Sequence, residues 1–102
     1  MKESCVAYMS EQFGNDIALV KEIYDEYVSS IRVKIGEAEK ALAASDWAQL
    51  DRVAHTIKGN ALTAGDNEMA QVAIDLRSSS QLHDHEQSTA RIARLRELGD
   101  QL

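Results

Sequence analysis

Proline is absent from this chain of 102 residues, which also holds only one cysteine, five glycines and 5% aromatic residues. Without proline, and with so little glycine, a sandwich or barrel built on many tight turns is disfavoured. A lone cysteine, Cys5, cannot close an intramolecular disulfide, and it would ligate a metal only with histidine or carboxylate help. Its expected role is a semi-buried or terminal thiol. No apolar run approaches the ~18 residues that a membrane helix needs. The opening Met1-Lys2-Glu3-Ser4-Cys5 lacks the apolar centre of a secretory signal, so a reducing, cytoplasmic setting is expected. Basic residues are the minority: 11 Lys and Arg against 17 Asp and Glu leave a net charge of −6. No basic stripe is available to neutralise phosphates, so nucleic acid is not an expected partner.

What is present is helical pattern. Hydrophobic residues make up 44% and charged residues 27%, an ordinary balance for one globular domain over residues 1–102. Ser4 to Phe13 reads as a short helix with Cys5, Tyr8, Met9 and Phe13 on a narrow apolar face, ended by Gly14. Ile17, Val20, Tyr24, Tyr27, Ile31, Ile35, Ala38 and Leu42 then repeat every three or four residues. They predict one helix of about thirty residues, near 45 Å long at ~1.5 Å per residue, with weak points at Ser29-Ser30 and Gly36. Asp46 and Gln49 form a capping-box pattern that opens a third helix, and Gly65 closes it. Met69, Val72, Ala73 and Leu76 mark a fourth helix that fades in Ser78-Ser79-Ser80. Gln81-Leu82-His83 reads as a loop. Asp84 caps a last helix carrying Ile92, Leu95 and Leu98. Four amphipathic helices with short connections predict an all-α fold. Its architecture is an antiparallel up-down four-helix bundle with a short additional N-terminal helix, and an intact core predicts a monomer.

One stretch of the third helix, about residues 46–64, stands out. Trp47, Leu50, Ala54, Ile57 and Ala61 form its apolar stripe, and His55 is turned roughly 100° from Ala54. Asp51, Arg52, Lys58 and Gly59 lie three or four residues from His55, Leu62 lies seven residues on, and all five share its outward side. A helix-interior glycine costs about 1 kcal/mol relative to alanine, and at position 59 it would remove the bulk that keeps another molecule from the imidazole. An exposed imidazole can act as a nucleophile toward an activated phosphoryl group, and Lys58 would place a positive charge beside the phosphoryl oxygens. Asp51 can orient the ring or simply be solvated; the sequence leaves both open. No phosphate-cradling glycine loop, Walker lysine or nucleophile elbow occurs, so the chain offers an acceptor without a nucleotide or metal site of its own. His83 and His85 flank Asp84, but alternate residues in a turn rarely converge on one ion. Trp47, Tyr8, Tyr24 and Tyr27 are expected to pack in the core.

Around His55 the sequence resembles the histidine-containing phosphotransfer (HPt) domains of bacterial phosphorelays. Ala54-His55-Thr56-Ile57-Lys58-Gly59-Asn60-Ala61 followed by Gly65 is similar to the family's Ala-His-x-x-Lys-Gly-Ser-Ala and later glycine. Ala43-Ala44-Ser45-Asp46-Trp47 and Phe13-Gly14-Asn15-Asp16 resemble the segments that open its helices. The departures are Asn60 for serine, Asp66 for a small residue, Met69 for leucine and Arg77 for a frequent glutamate. All four are expected to lie off the acceptor and to bear on partner choice. The resemblance implies reversible transfer from a receiver-domain phospho-aspartate to His55 and on to a second receiver aspartate. It also implies Lys58 as the charge partner, Gly59 as docking clearance, and Asp51, Arg52 and Leu62 on the docking surface. The chain would be a carrier and not an enzyme. It would bind no cofactor, with Mg²⁺ on the receiver of a hybrid histidine kinase or response regulator. Two other readings are a binding adaptor in which His55 is incidental, and a phosphoacceptor module served directly by a kinase domain.

Overall fold

A computed structural model describes residues 1–102 as five helices and no strand. They are α1 (Glu3–Phe13), α2 (Ile17–Ala43), α3 (Trp47–Thr63), α4 (Asn67–Gln81) and α5 (His85–Asp100). Helices α2 to α5 pack in a ring, α2 on α3, α3 on α4, α4 on α5 and α5 back on α2, while α1 packs on α2. This is the expected four-helix bundle with an extra N-terminal helix. The body measures 43 × 19 × 18 Å, close to the ~40 Å that 27 helical residues span. Ser29-Ser30 and Gly36 do not interrupt α2.

The helices start where aspartates cap them. Asp16, Asp46, Asp66 and Asp84 each accept a hydrogen bond from the backbone N–H three residues on, at 3.2, 3.1, 3.3 and 3.0 Å. The Asp46 capping box is only half made, because the Gln49 side chain accepts from Arg52 instead of reaching back. Three of the four joints share one geometry. Asp46, Asp66 and Asp84 donate their N–H to Ala41, Ala61 and Ser79, while the preceding Ser45, Gly65 and His83 donate to Leu42, Leu62 and Ser80. Each is a Schellman closure that runs straight into the next N-cap. Its left-handed residue has φ of 53° at Ser45, 73° at Gly65 and 52° at His83. Only position 65 needs glycine for space as well, because a Cβ there would lie 2.4 Å from Tyr8 Cβ.

The core unites 23 buried apolar residues from all five helices. On α2 every expected stripe residue from Val20 to Leu42 is buried, but Ile17, at the helix start, is 65% exposed. Helix α1 buries Cys5 and Met9 only; Tyr8 and Phe13 stay 38% and 41% exposed because this helix lies against the bundle on one side. Trp47 is half-buried instead of core. It stacks on His83 with ring centroids 5.2 Å apart and meets His85 edge-on at 6.3 Å. Helix α4 does not fade in its serines. Ser79 and Ser80 are buried, their hydroxyls donate to the Leu76 and Arg77 carbonyls, and Ser79 Oγ sits 2.8 Å from Ser88 Oγ of α5. The connection is accordingly Leu82–Asp84.

Asp66 ties the ends together. It is fully buried, accepts from Tyr27 Oη at 2.8 Å and receives the Lys2 ammonium at 2.7 Å. Tyr24 Oη accepts from the Lys2 N–H and donates to the Leu102 carbonyl. Burial, followed by the bond to Asp66, raises the Tyr27 phenol far above its ordinary pKa. Partial burial pulls the Lys2 ammonium down, yet the Asp66 and Glu68 carboxylates together outweigh it and leave its pKa above 10.5.

Candidate functional site

Helix α3 turns Leu50, Val53, Ala54, Ile57 and Ala61 into the core. Its opposite flank carries Asp51, Arg52, His55, Lys58, Gly59 and Leu62. His55 is exposed at mid-helix, well away from both capped ends. Lys58, half-buried one turn on, takes part in none of the eight salt bridges of the chain. A Cβ built on Gly59 would have nothing within 4 Å, so that position is open to solvent and to any approaching surface. Leu62 is 47% exposed and, with Ile74 of α4, gives the flank an apolar margin. Arg52 leans along the helix, with Nε and Nη2 donating to Gln49 Oε1 at 3.1 and 2.9 Å.

The structure brings a further residue to the histidine. Arg77, on α4, donates from Nη1 to His55 Nδ1 at 3.2 Å. Its Nε donates to Asp51 Oδ1 at 3.1 Å and its Nη2 to Asp51 Oδ2 at 3.5 Å. Gln81 Nε2 donates to the same Oδ1 at 3.2 Å. The expectation that Arg77 lies off the acceptor is therefore wrong. Position 77 is twenty-two residues from His55, and only the antiparallel packing of α4 on α3 makes them neighbours. Asp51 is neither simply solvated nor bonded to the ring; it reaches His55 through Arg77. The hydrogen bonds from Arg77 hold the Asp51 carboxyl below its ordinary pKa of 3.8.

Between α3 and α4 a shallow groove of about 190 Å³ is lined by Lys58, Ile74, Arg77, Ser78 and Gln81. Two cations and two neutral hydrogen-bonding side chains thus border the space beside His55, an arrangement suited to an anion. The largest hollow, about 330 Å³ between α2 and α3, lies on the other flank beside Tyr27 and Ala64, and its Asn60 donates to Ser30 Oγ at 3.2 Å. Asn60, like Asp66, thus serves helix packing. No group of three or more His, Cys, Asp or Glu side chains is placed to hold a metal ion. His83 and His85 are committed to Trp47, and Cys5 is buried on the inner face of α1. No helix is long and apolar enough to cross a membrane.

Comparison with curated proteins and with solved structures gave no match. Comparison with protein families matches residues 22–102 to the Hpt domain, a span that runs from α2 through α5 and holds the whole His55 flank. On that match the chain belongs to the Hpt domain family, the histidine phosphotransfer modules of phosphorelays.

Proposed function

We propose that residues 1–102 act as one phosphorelay carrier, accepting a phosphoryl group on His55 from the phospho-aspartate of one receiver domain and delivering it to the aspartate of another. The observation that carries this reading is an exposed mid-helix imidazole with a salt-bridge-free Lys58 and an unobstructed Gly59 one turn on. A ring nitrogen lone pair would form the N–P bond as the P–O bond of the acyl phosphate breaks and the carboxylate leaves with its electrons. Lys58 would sit beside the phosphoryl oxygens as a point charge. Gly59 would let the receiver lie flush on α3, with Arg52, Asp51 and Leu62 around the contact. The receiver would supply Mg²⁺, and this chain would bind no cofactor and turn over no substrate of its own. The receivers in view are those of a hybrid histidine kinase or a response regulator, met in the cytoplasm by a monomeric carrier.

The test is incubation with a panel of ³²P-labelled receiver domains, run beside His55→Gln. Acid-labile, base-stable label on the wild type and none on the variant is the expected result. Unchanged labelling of His55→Gln would remove His55 as the acceptor. Binding of a receiver without any label would favour the adaptor reading.

A further inference from the structure

We infer that Arg77 is a positioning residue that holds the resting His55 in its non-nucleophilic tautomer and covers the one ring nitrogen left with a lone pair. The inference rests on the phosphoacceptor reading above and deepens it.

A guanidinium has five N–H donors and no lone pair to offer. The ring nitrogen facing Arg77 Nη1 at 3.2 Å is Nδ1, so Nδ1 accepts. In a neutral imidazole the proton then resides on Nε2. Nε2 is the nitrogen left to meet a docked partner, and with its proton it has no lone pair for phosphorus. Nδ1 has the lone pair and is blocked. Arg77 cannot drift off at no cost, because Asp51 grips it through Nε and Nη2 and Gln81 steadies that carboxylate. A carboxylate at position 77 would do the opposite: it would accept from Nδ1–H and leave Nε2 ready to attack.

Acceptance therefore requires Arg77 to let go and the ring proton to move, through solvent, from Nε2 to Nδ1. The Nε2 lone pair then takes the phosphoryl group as the receiver carboxylate leaves. The resulting imidazolium loses its Nδ1 proton to water, and Nδ1 again accepts from Arg77. Departure of the phosphoryl group needs that proton back on Nδ1, so that the N–P electrons return to a neutral ring. The same arginine thus slows both entry and escape, and the carrier holds its load. A docked receiver, whose phosphoryl group and acidic metal site are anionic, is the natural competitor for the guanidinium, which already borders the groove beside His55.

The first readout is the tautomer, from long-range ¹H–¹⁵N correlations of the His55 ring at neutral pH. The wild type should show Nε2 protonated and Nδ1 bare. Arg77→Glu, made with Asp51→Asn so that two carboxylates do not face each other, should show Nδ1 protonated. A wild-type ring with Nδ1–H overturns the inference without recourse to any variant. The second readout is transfer from a phosphorylated receiver. The double variant should acquire phosphate roughly tenfold faster, about the worth of one charge-assisted hydrogen bond, and its purified phospho-form should decay faster by a similar factor. Switched tautomers with unchanged rates would also overturn it. A wild type that takes no label from any receiver, yet shows the expected tautomer, would instead defeat the carrier reading.

Discussion

Replacing Asp66 with alanine should be the most damaging single change outside the apolar core. Three losses combine. The α4 N-cap bond to Met69 N goes, which costs about 1 kcal/mol. The buried Tyr27 hydroxyl loses its acceptor, and an unsatisfied buried donor costs about 1–3 kcal/mol. The Lys2 ammonium loses its fully buried partner and keeps only the exposed Glu68, worth about 1 kcal/mol. The sum is about 3–5 kcal/mol, a large part of the ~5–15 kcal/mol that holds a domain folded. Asp84→Ala is the internal control. It also removes an N-cap bond, to Gln87 N, but orphans no buried hydroxyl, so about 1 kcal/mol is expected. Urea titration followed by circular dichroism measures both. With a slope near ~1.5 kcal/mol per molar, Asp66→Ala should lower the midpoint by roughly 2–3 M and Asp84→Ala by under ~1 M. Equal midpoints for the two variants would refute the claim that Asp66 joins α1, α2 and α4 beyond its capping role.

Other perturbations separate packing from chemistry. Gly59→Leu should block transfer from receivers while raising thermal stability, because an exposed mid-helix glycine costs up to ~1 kcal/mol; a leucine variant that transfers at full rate would remove the clearance role. Lys58→Ala should slow transfer without abolishing it, and unchanged single-turnover rates would make the lysine a bystander. Burial pushes the Cys5 thiol up to about 11, with the nearby Asp66 adding to the shift. Because the folded thiol gives up its proton later than the unfolded one at 9.0, its contribution to stability is complete below pH 9 and is lost as pH rises toward about 11. A disulfide reagent at pH 8 should therefore label Cys5 only in urea; rapid labelling of the folded chain would contradict its burial.

Much of this was legible in the sequence for local reasons. An aspartate cap and the apolar period of the helix behind it lie within a few residues, so Asp46 and Asp84 mark their helices correctly. His55 falls on the outer flank because its neighbour Ala54 lies on the apolar stripe. What escaped was set by neighbours distant in sequence. Arg77 meets His55 only across the α3–α4 seam, and the one signal available was a basic residue where the family often carries glutamate. Ser78-Ser79-Ser80 looks like a fraying end until Ser88 of α5 is placed against it, since buried hydroxyls can satisfy themselves on helix carbonyls. Ser45 and His83 adopt left-handed backbone that sequence reasoning reserves for glycine. Tyr8 and Phe13 read as core because a stripe was visible, but α1 is covered on only part of its surface. Trp47 lies at the bundle end, where two histidines form its outer wall.

The most direct test of the account is a chase. The chain is phosphorylated by one labelled receiver, purified free of it, and mixed with a second, unlabelled receiver and Mg²⁺ without ATP. A phosphohistidine carrier predicts that the label leaves His55 and appears as acid-stable, base-labile phospho-aspartate on the second receiver. Label that stays on the chain, or is released only as inorganic phosphate with every receiver tried, would contradict a relay role for this bundle.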